Sequence, residues 1–253
     1  MAIFCAAALG FQANVATALP ALYSHYDASD ATNVTKDGTG KVTALADSSN
    51  SYDADASAGI VLYPDAIQSA TGLDLLDMGA TRNTLRTLLP PEQEALLNFT
   101  PGTGAAAGNS GFSFFVVTRV DALLGSGIRD VVLANRGDVG NGFVLRLQGG
   151  APEFYLDGIK AELASPAPVA GDTLVIAANY DVATGNLEFW NSKAGASVSV
   201  TVAAGDFSEG AAIFLGGSPN SGQYMDGAIG EVKFYQGVLT AGEFAAEQTA
   251  LVN

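Results

Sequence analysis

The sequence predicts an all-β fold, an antiparallel sandwich of two sheets with a short C-terminal helix. Apolar and polar residues alternate with a period of two in several short runs. In residues 143–147, for example, Phe143, Leu145 and Leu147 fall on one face, as in half-buried antiparallel strands. The chain has 30 glycines, and turn-forming residues separate the apolar runs, which indicates many short strands. Thr240 and Glu243 have the spacing of a capping box, which predicts a helix near the end.

The composition fits one globular domain. Of the 253 residues, 48% are hydrophobic and 15% are charged, a balance that argues against long disordered tracts. Eleven basic residues against 26 acidic ones give a net charge of −15. Because phosphate binding needs a basic surface, we expect no nucleic-acid partner. We expect no membrane span either, since no run reaches the roughly 18 apolar residues that a span requires.

The N-terminal region is expected to differ from the rest. We expect residues 1–21 to form an arm or edge strand and residues 22–253 to form the sandwich domain. Residues 2–10 are apolar, but no Lys or Arg precedes them and the stretch is short, so a signal peptide is not favoured. Cys5 is the only cysteine, which excludes an intrachain disulfide, and its apolar neighbours predict a small buried side chain.

The first part of the sandwich is predicted in outline. Residues 37–40 (Asp-Gly-Thr-Gly) predict a turn between two short polar strands, and residues 47–58 have the composition of a polar loop. Residues 59–110 have the weakest pattern. Within them, Pro90 and Pro91 predict a helical turn over residues 92–97, because proline favours the first positions of a helix.

The strand pattern is strong after residue 111. Asp157-Gly158 separates two apolar runs and predicts a type I′ hairpin, since both turn positions need a positive φ. Asp226-Gly227 predicts a turn that leads into the last strand. The strands are predicted near residues 112–120, 131–134, 143–147, 153–156, 174–180, 187–190, 198–202, 213–215 and 230–235.

The last strand and the helix are expected to close the fold. On the strand, Val232 and Phe234 should face inward, while Glu231, Lys233 and Tyr235 should face outward. The helix should begin after Thr240 and run to about residue 252. Its Phe244 and Leu251 lie on one side, and Leu239 and Phe244 occupy the positions of a hydrophobic staple.

The C-terminal third resembles a known family. It reads Phe-Leu-Gly-Gly at residues 214–217, Tyr-Met-Asp-Gly at 224–227, Ile-Gly-Glu-Val-Lys-Phe-Tyr at 229–235 and Leu-Thr-Ala-Gly-Glu at 239–243. This order and spacing is similar to the closing motif of concanavalin A-like, laminin G-like domains. The resemblance implies a jelly-roll topology for the two-sheet sandwich.

The N-terminal third resembles a segment of bacterial and phage surface proteins. Its Tyr-Asp-Ala-Ser-Asp at residues 26–30, Asp-Gly-Thr-Gly-Lys-Val at 37–42 and Ala-Asp-Ser-Ser at 46–49 follow that segment in order. His25 and Leu45 stand where that segment usually has tryptophan. The fold implied by the resemblance is unaffected, but a binding role that uses those aromatic positions does not carry over.

The sequence offers little support for catalysis. Jelly-roll glycosidases of this superfamily carry Glu-x-Asp-x-x-Glu on one strand, with the two carboxyls about 5 Å apart for retention. No such run occurs here, and Glu153 and Asp157 are not followed by a third acid at the spacing of that motif. His25 is the only histidine, and no Gly-x-Ser-x-Gly elbow accompanies it. A lyase that uses His25 or a tyrosine as its base is left open.

The resemblance implies calcium as the metal to consider, because laminin G-like domains often bind it through loop carboxylates. The candidate ligands are Asp27, Asp30 and Asp226, with Asp47 and Asn220 as further candidates. An aspartate in a glycine-rich loop is also a common turn former. No other cofactor is expected.

Sugar binding would need exposed aromatic rings with polar groups beside them. Trp190 is the best single candidate, because its neighbour Phe189 faces the opposite way and can fill the core. Tyr155, Tyr224 and Tyr235 are further candidates. Core packing is the competing explanation for each ring, since aromatic side chains dominate sandwich cores.

These observations favour a non-catalytic surface or recognition protein. We expect a bacteriophage virion component, either a capsid decoration or a tail-associated protein. Its partners would be other virion proteins, or a second copy bound through residues 1–20, and a surface glycan. The alternatives are a secreted or cell-surface bacterial carbohydrate-binding module and a polysaccharide lyase.

Overall fold

Two antiparallel sheets pack face to face around a layer of phenylalanine rings. The computed structural model describes residues 19–38, 42–50, 52–56, 67–68, 74–77, 85–123, 130–135, 142–149, 151–208, 212–218 and 224–252. Most of the arm predicted for residues 1–21, including Cys5, lies outside these ranges. The all-β sandwich with a C-terminal helix is confirmed.

The described residues form seventeen strands, two α-helices and one 3₁₀ turn. The strands, in chain order, are β1 (Ala21–Asp27), β2 (Val34–Lys36), β3 (Val42–Leu45), β4 (Ala54–Ala56), β5 (Ile67–Gln68), β6 (Asp74–Asp77), β7 (Leu85–Thr87), β8 (Gly111–Ala122), β9 (Asp130–Ala134), β10 (Phe143–Gln148), β11 (Ala151–Leu156), β12 (Ile159–Glu162), β13 (Thr173–Asp181), β14 (Asn186–Asn191), β15 (Ala196–Thr201), β16 (Ile213–Leu215) and β17 (Asp226–Gln236). The helices are α1 (Pro90–Leu97) and α2 (Ala241–Val252), and a 3₁₀ turn covers Ala31–Asn33. Neither described α-helix has the length and apolar run of a membrane span.

The order of the strands places the last strand in the middle of its sheet. Within the described residues, the first sheet runs β15-β14-β13-β8-β17-β6-β5, and β1 also pairs with β17. The second sheet runs β12-β11-β10-β9-β16-β7-β4-β3-β2. β17 therefore has β8 along one edge, and β1 and β6 share its other edge.

Phenylalanine rings from both sheets meet between them. Phe114 on β8 lies 5.1 Å from Phe154 on β11 and 6.3 Å from Phe234 on β17, measured between ring centroids. Phe154 in turn stacks on Phe189 of β14 at 6.1 Å. All four rings are buried. Val232 is also buried, so the inward positions predicted for β17 are confirmed.

The start of β17 differs from the prediction. Asp226-Gly227 was expected to form a turn, but both residues belong to β17 and pair with β8. The glycine is needed for a different reason, which is the close approach of the two strands. A Cβ at Gly227 would lie 2.1 Å from the backbone oxygen of Arg119. The irregular pairing between Asp226 and Gly227 accommodates this approach.

Other local predictions are confirmed. Asp157 and Gly158 have φ of 50° and 77° and join β11 to β12, as a type I′ turn requires. The two strands predicted on either side of residues 37–40 pair as β2 and β3, while residues 39–40 of the predicted turn lie outside the described ranges, and α1 begins at Pro90. Residues 47–58, predicted as loop, contain the short strand β4, which pairs with β3 and β7.

α2 is held against the outer face of the first sheet. The capping box is present, because the Glu243 carboxylate accepts from the Thr240 backbone N–H at 2.8 Å and the Glu243 N–H donates to Thr240 Oγ1 at 3.4 Å. The buried amide of Asn179 on β13 donates to the carbonyl of Leu239 at 2.9 Å and accepts from its N–H at 3.0 Å. This two-way contact fixes the chain where it enters the helix.

The two sheets come together along one side of the sandwich. β12, at the edge of the second sheet, lies against β14 and β15 of the first sheet. Val198 and Val200 of β15 and Leu163, just after β12, pack on the core there. The alternation predicted for β15 is therefore used to cover this side of the core.

Aspartates form the turns that connect several strands. In four places, one carboxylate oxygen accepts from both the backbone N–H and the hydroxyl of the residue two positions on. The pairs are Asp27 with Ser29, Asp30 with Thr32, Asp47 with Ser49 and Asp206 with Ser208. This Asp-x-Ser/Thr turn satisfies backbone groups that the strands leave unpaired.

Asp47 does more than form one turn. Its Oδ1 also accepts from the His25 backbone N–H at 2.9 Å, and its Oδ2 accepts from the backbone N–H groups of Asn50 at 3.3 Å and Tyr52 at 3.2 Å. Only 8% of Asp47 is exposed. One buried carboxylate therefore holds Ser49, Asn50 and Tyr52 in place and attaches this segment to β1.

A charged network joins β1, β17 and α2 on the outer face of the first sheet. His25 Nε2 donates to Glu231 Oε1 at 2.8 Å, and Lys233 Nζ lies 3.1 Å from the same oxygen and 3.3 Å from Glu247 Oε2 on α2. Burial by itself would raise the pKa of Glu231. The hydrogen bond from His25 and the charge of Lys233 outweigh burial and hold the pKa of Glu231 below its ordinary value.

We expect Asp47→Ala to lower the free energy of unfolding by about 3 kcal/mol, because it leaves several buried donors without a charged acceptor. Urea unfolding measures this loss. Asp30→Ala is the matched control, since Asp30 makes the same paired turn bonds on the exposed surface and its removal should have a much smaller effect. Equal losses in the two variants would contradict the role given to Asp47.

We expect the Glu231 network to make stability depend on pH in the acidic range. Because the folded-state pKa of Glu231 is lowered, its contribution is fully present above the ordinary glutamate pKa of about 4.3 and is lost as pH falls through the folded-state pKa. Urea midpoints measured from neutral to strongly acidic pH should fall less steeply for Glu231→Gln than for the wild type. Glu188→Gln, on the same face of the sheet, is the control. Its urea midpoint should fall with pH as steeply as that of the wild type.

Candidate functional site

The four aromatic residues predicted to bind sugar lie in three different places. Trp190 and Tyr235 belong to the outer face of the first sheet, where α2 packs. Tyr155 belongs to the outer face of the second sheet, with Val131 and Val144. Tyr224 precedes β17 and forms a bridge with Gly217. The structure therefore does not gather them into one platform.

Trp190 lies at the floor of an open groove between the β14–β15 hairpin and α2. Two adjoining hollows of about 260 and 390 Å³ share Trp190, Gly195 and Gln248 as lining residues. The ring is partly buried against the apolar cluster below α2, while Phe189 fills the core on the opposite face. Glu188 and Ser197 from the strands complete the polar wall of the groove.

The groove combines an aromatic surface with hydrogen-bonding groups on both sides. Gln248 and Thr249 come from α2, and Glu188 and Ser197 come from the sheet. An indole has an apolar face and one N–H donor, and amide, hydroxyl and carboxylate groups supply further donors and acceptors. Apolar contact with a few polar groups around it is the general composition of a ligand site.

Tyr235 is on the outward face of β17, as predicted, but α2 covers it. Only 4% of the residue is exposed, because α2 lies over it, and its ring meets Phe115 edge-on at 6.1 Å. Burial first, and then the nearby Glu247 carboxylate, raises the pKa of the Tyr235 hydroxyl well above its ordinary value. This ring supports the helix beside the groove and offers little surface to a sugar.

Tyr155 is tied to an arginine on β10. The Arg146 guanidinium lies 4.5 Å from the centre of the Tyr155 ring, and its Nη2 donates to the tyrosine hydroxyl at 3.0 Å. Arg146 Nε also donates to Glu153 at 2.8 Å. Arg146 alternates with Leu145 and Leu147 along β10 but is only 4% exposed, because this ion pair and the stacked ring hold it against the sheet.

The predicted calcium ligands are used as turn formers. Asp27 and Asp30 each accept two hydrogen bonds from the residue two positions on, and Asp47 accepts five. Asp226 belongs to β17, and Asn220 lies outside the described residues. Within the described ranges, no group of three or more His, Cys, Asp or Glu residues could hold a metal ion.

His25 lies between a serine and a glutamate. Ser48 Oγ is 2.9 Å from His25 Nδ1, and Glu231 Oε1 is 2.8 Å from His25 Nε2. Because a carboxylate can only accept, neutral His25 carries its proton on Nε2 and accepts from Ser48 through Nδ1. This is the order of a nucleophile, a base and an orienting acid, and sequence reasoning missed Ser48 and Glu231 because they are far apart along the chain.

Among the described residues next to Ser48, the backbone donors that acyl transfer could use are engaged elsewhere. An oxyanion needs N–H donors aimed at it. The backbone N–H of Ser48 donates to the His25 carbonyl, and those of Ser49 and Asn50 donate to Asp47. These neighbouring donors are already engaged, so the arrangement serves to attach the loop to β1.

A second hollow lies where the segment after β3 meets the start of α1. It has a volume of about 280 Å³ and is lined by Tyr52, Asp53, Arg86, Thr87, Leu88, Leu89 and Glu92. Leu88 has φ of 37°, an uncommon conformation that costs a residue other than glycine about 1–3 kcal/mol. No pattern in the sequence indicates this site, because its walls come from segments more than thirty residues apart.

No family model matches the chain, and no curated protein matches its sequence. The fold is nevertheless shared with solved structures. The binding domain of botulinum neurotoxin serotype D has a TM-score of 0.59 and 12% identity, and the match covers 91% of this chain and 52% of that domain.

Two further solved structures are similar to this chain. A mutant of Trypanosoma rangeli sialidase displaying trans-sialidase activity has a TM-score of 0.53 and 13% identity, over 93% of this chain and 33% of that one. The Ruminococcus gnavus sialidase CBM40 bound to alpha2,3 sialyllactose has a TM-score of 0.45 and 16% identity, over 60% of this chain and 90% of that one. At these identities the two matches with TM-scores above 0.5 establish the β-sandwich fold alone, and the narrower resemblance to laminin G-like domains stays a prediction.

Proposed function

We propose that this chain is a non-catalytic recognition domain that binds a glycan in the groove beside Trp190. The observation that carries the proposal is the partly exposed indole at the floor of that groove, between the β14–β15 hairpin and α2. The serotype D structure is a binding domain with a similar fold. Because a shared fold at this identity does not transfer a ligand, the argument depends on the groove itself.

The shape of the groove favours an extended ligand. Its two hollows adjoin at Trp190 and Gln248 and continue along α2 to Val252. A sugar ring has an apolar face that can lie on an indole, and its hydroxyls can reach side chains on either wall. An open groove of this kind would contact successive sugar units from the side, so an oligosaccharide should bind better than a single sugar.

The structure also explains why the groove keeps its form. The indole packs on the same apolar cluster as Phe244 and Leu251, and Asn179 fixes the start of α2 through Leu239. A platform held in place before binding loses little conformational freedom when the ligand arrives. This rigidity favours recognition by a preformed surface.

The expected result is a change in intrinsic tryptophan fluorescence when the right oligosaccharide is added. Trp190 is the only tryptophan in the chain, so its emission reports on the groove directly. A glycan array identifies candidate oligosaccharides, and each is then titrated against the protein. Trp190→Ala should abolish retention on the array.

Tyr155→Ala is the matched control, because it removes an aromatic ring from the opposite sheet and should leave glycan binding unchanged. If the Trp190→Ala variant were still retained on the glycan array, the proposal that the groove binds the glycan would be contradicted. Loss of binding in Tyr155→Ala alone would move the site to the second sheet. New unsaturated ends on a polysaccharide after incubation would contradict the non-catalytic part of the proposal and favour the lyase alternative.

We further propose that the domain works on a virion, as a capsid decoration or tail-associated protein. The support is the resemblance of residues 25–49 to segments of bacterial and phage surface proteins, together with an acidic chain that suits a solvated outer surface. Mass spectrometry of purified phage particles should detect this chain at a fixed ratio to a capsid or tail subunit. Its recovery only from a cell surface or culture medium would favour the bacterial carbohydrate-binding alternative.

A further inference from the structure

The hollow between Tyr52 and Glu92 has the features of a second, separate binding site. It is more enclosed than the Trp190 groove, and its volume of about 280 Å³ is near the lower end of ligand pockets, roughly 300 Å³. That size suits one small ring rather than an extended chain. None of its lining residues takes part in the Trp190 groove.

One polar group at this hollow has no partner. Glu92 Oε2 is buried, and no hydrogen-bond donor reaches it within the described part of the chain. The backbone of Glu92 is fixed, because Tyr23 donates its hydroxyl to the Glu92 carbonyl at 2.8 Å and the Glu92 N–H donates to Leu89. A buried acceptor without a donor is unfavourable, and a ligand hydroxyl would relieve it.

The other walls restrict the kind of ligand. Asp53 and Glu92 supply carboxylates, which disfavour an anion, whereas Arg86 supplies a guanidinium, which disfavours a cation. A metal ion is not favoured either, since the described residues contain no group of three or more metal-ligating side chains. Tyr52 adds an aromatic wall, stacked on Tyr23 with 5.4 Å between ring centroids. Neutral hydroxyls, which both donate and accept, fit this mixture.

The backbone at the hollow is held in an uncommon conformation. Leu88 has a positive φ, its side chain is buried in the core, and its carbonyl accepts from Ile213. Strained residues of this kind persist where the surrounding structure imposes them, and they cluster at ligand sites. The strain places Leu88 and the adjacent Leu89 along the wall of the hollow.

We propose that the hollow lined by Tyr52, Arg86 and Glu92 binds one neutral sugar ring or a similar vicinal diol. One hydroxyl of the ligand donates to Glu92 Oε2, and its neighbour accepts from the Arg86 side chain. This site is independent of the Trp190 groove. An experiment that contradicts one of the two proposed sites therefore leaves the other proposal standing.

The test uses free D-glucose, D-galactose, D-mannose, L-rhamnose and N-acetyl-D-glucosamine as probes, with D-glucosamine as a cationic comparison. Binding to the full chain is measured by saturation-transfer-difference NMR and calorimetry. At least one neutral sugar should bind, and Glu92→Gln should weaken it roughly tenfold, as expected for one hydrogen bond to a charged group. Leu89→Phe should weaken binding as well, because Leu89 is 46% exposed at the wall and the larger ring enters the hollow.

Glu94→Gln is the matched control, since Glu94 lies on α1 and bonds to Asn98 instead of lining the hollow. It should leave binding unchanged, and so should Trp190→Ala. If Trp190→Ala lost binding and Glu92→Gln kept it, the sugar would bind in the groove, and the proposal would be overturned. The proposal would also be overturned if none of the neutral sugars bound, or if only D-glucosamine bound. Equal affinity of Glu92→Gln and the wild type for a neutral sugar would overturn it as well. Urea midpoints close to wild type show that each variant is folded.

Discussion

The phenylalanine layer between the sheets is the constraint on which the other features depend. Phe114 contacts rings of both sheets, so the position of β8 determines where β10, β11 and β17 lie. Burying aromatic side chains stabilises the fold mainly by removing apolar surface from water. The Trp190 groove lies on the outer face of the first sheet, whereas the Glu92 hollow borders the core through Leu88.

Much of the fold can be predicted from the sequence, because period-two alternation and turn chemistry are local. The Asp157-Gly158 hairpin and the Thr240 capping box both appear in the structure where the sequence places them. Asp226-Gly227 shows the limit of such reasoning. The same dipeptide that suits a turn also permits two strands to approach closely, and only the position of Arg119 on β8 reveals which is needed.

The candidate sites were less predictable, for two physical reasons. Alternation shows which face of the sheet a residue occupies, but it does not show what covers that face. Trp190 and Tyr235 therefore have equivalent positions in the sequence pattern, although α2 buries Tyr235 and leaves Trp190 partly exposed. The hollow at Glu92 is assembled from segments with no shared pattern in the sequence. Similarly, the aspartates of the Asp-x-Ser/Thr turns carry no sequence feature that separates a turn former from a metal ligand.

The convergence of β12 and β15 bears on how copies of this domain could assemble. A strand at the edge of a sheet normally leaves backbone donors and acceptors open, and these can recruit a strand from a neighbouring molecule. Here the edge strands of the two sheets, β12 and β15, lie close together, which restricts the space for an added strand on that side. Polymerisation through strand addition is disfavoured along this side, and an ordered array would have to form through side-chain surfaces elsewhere.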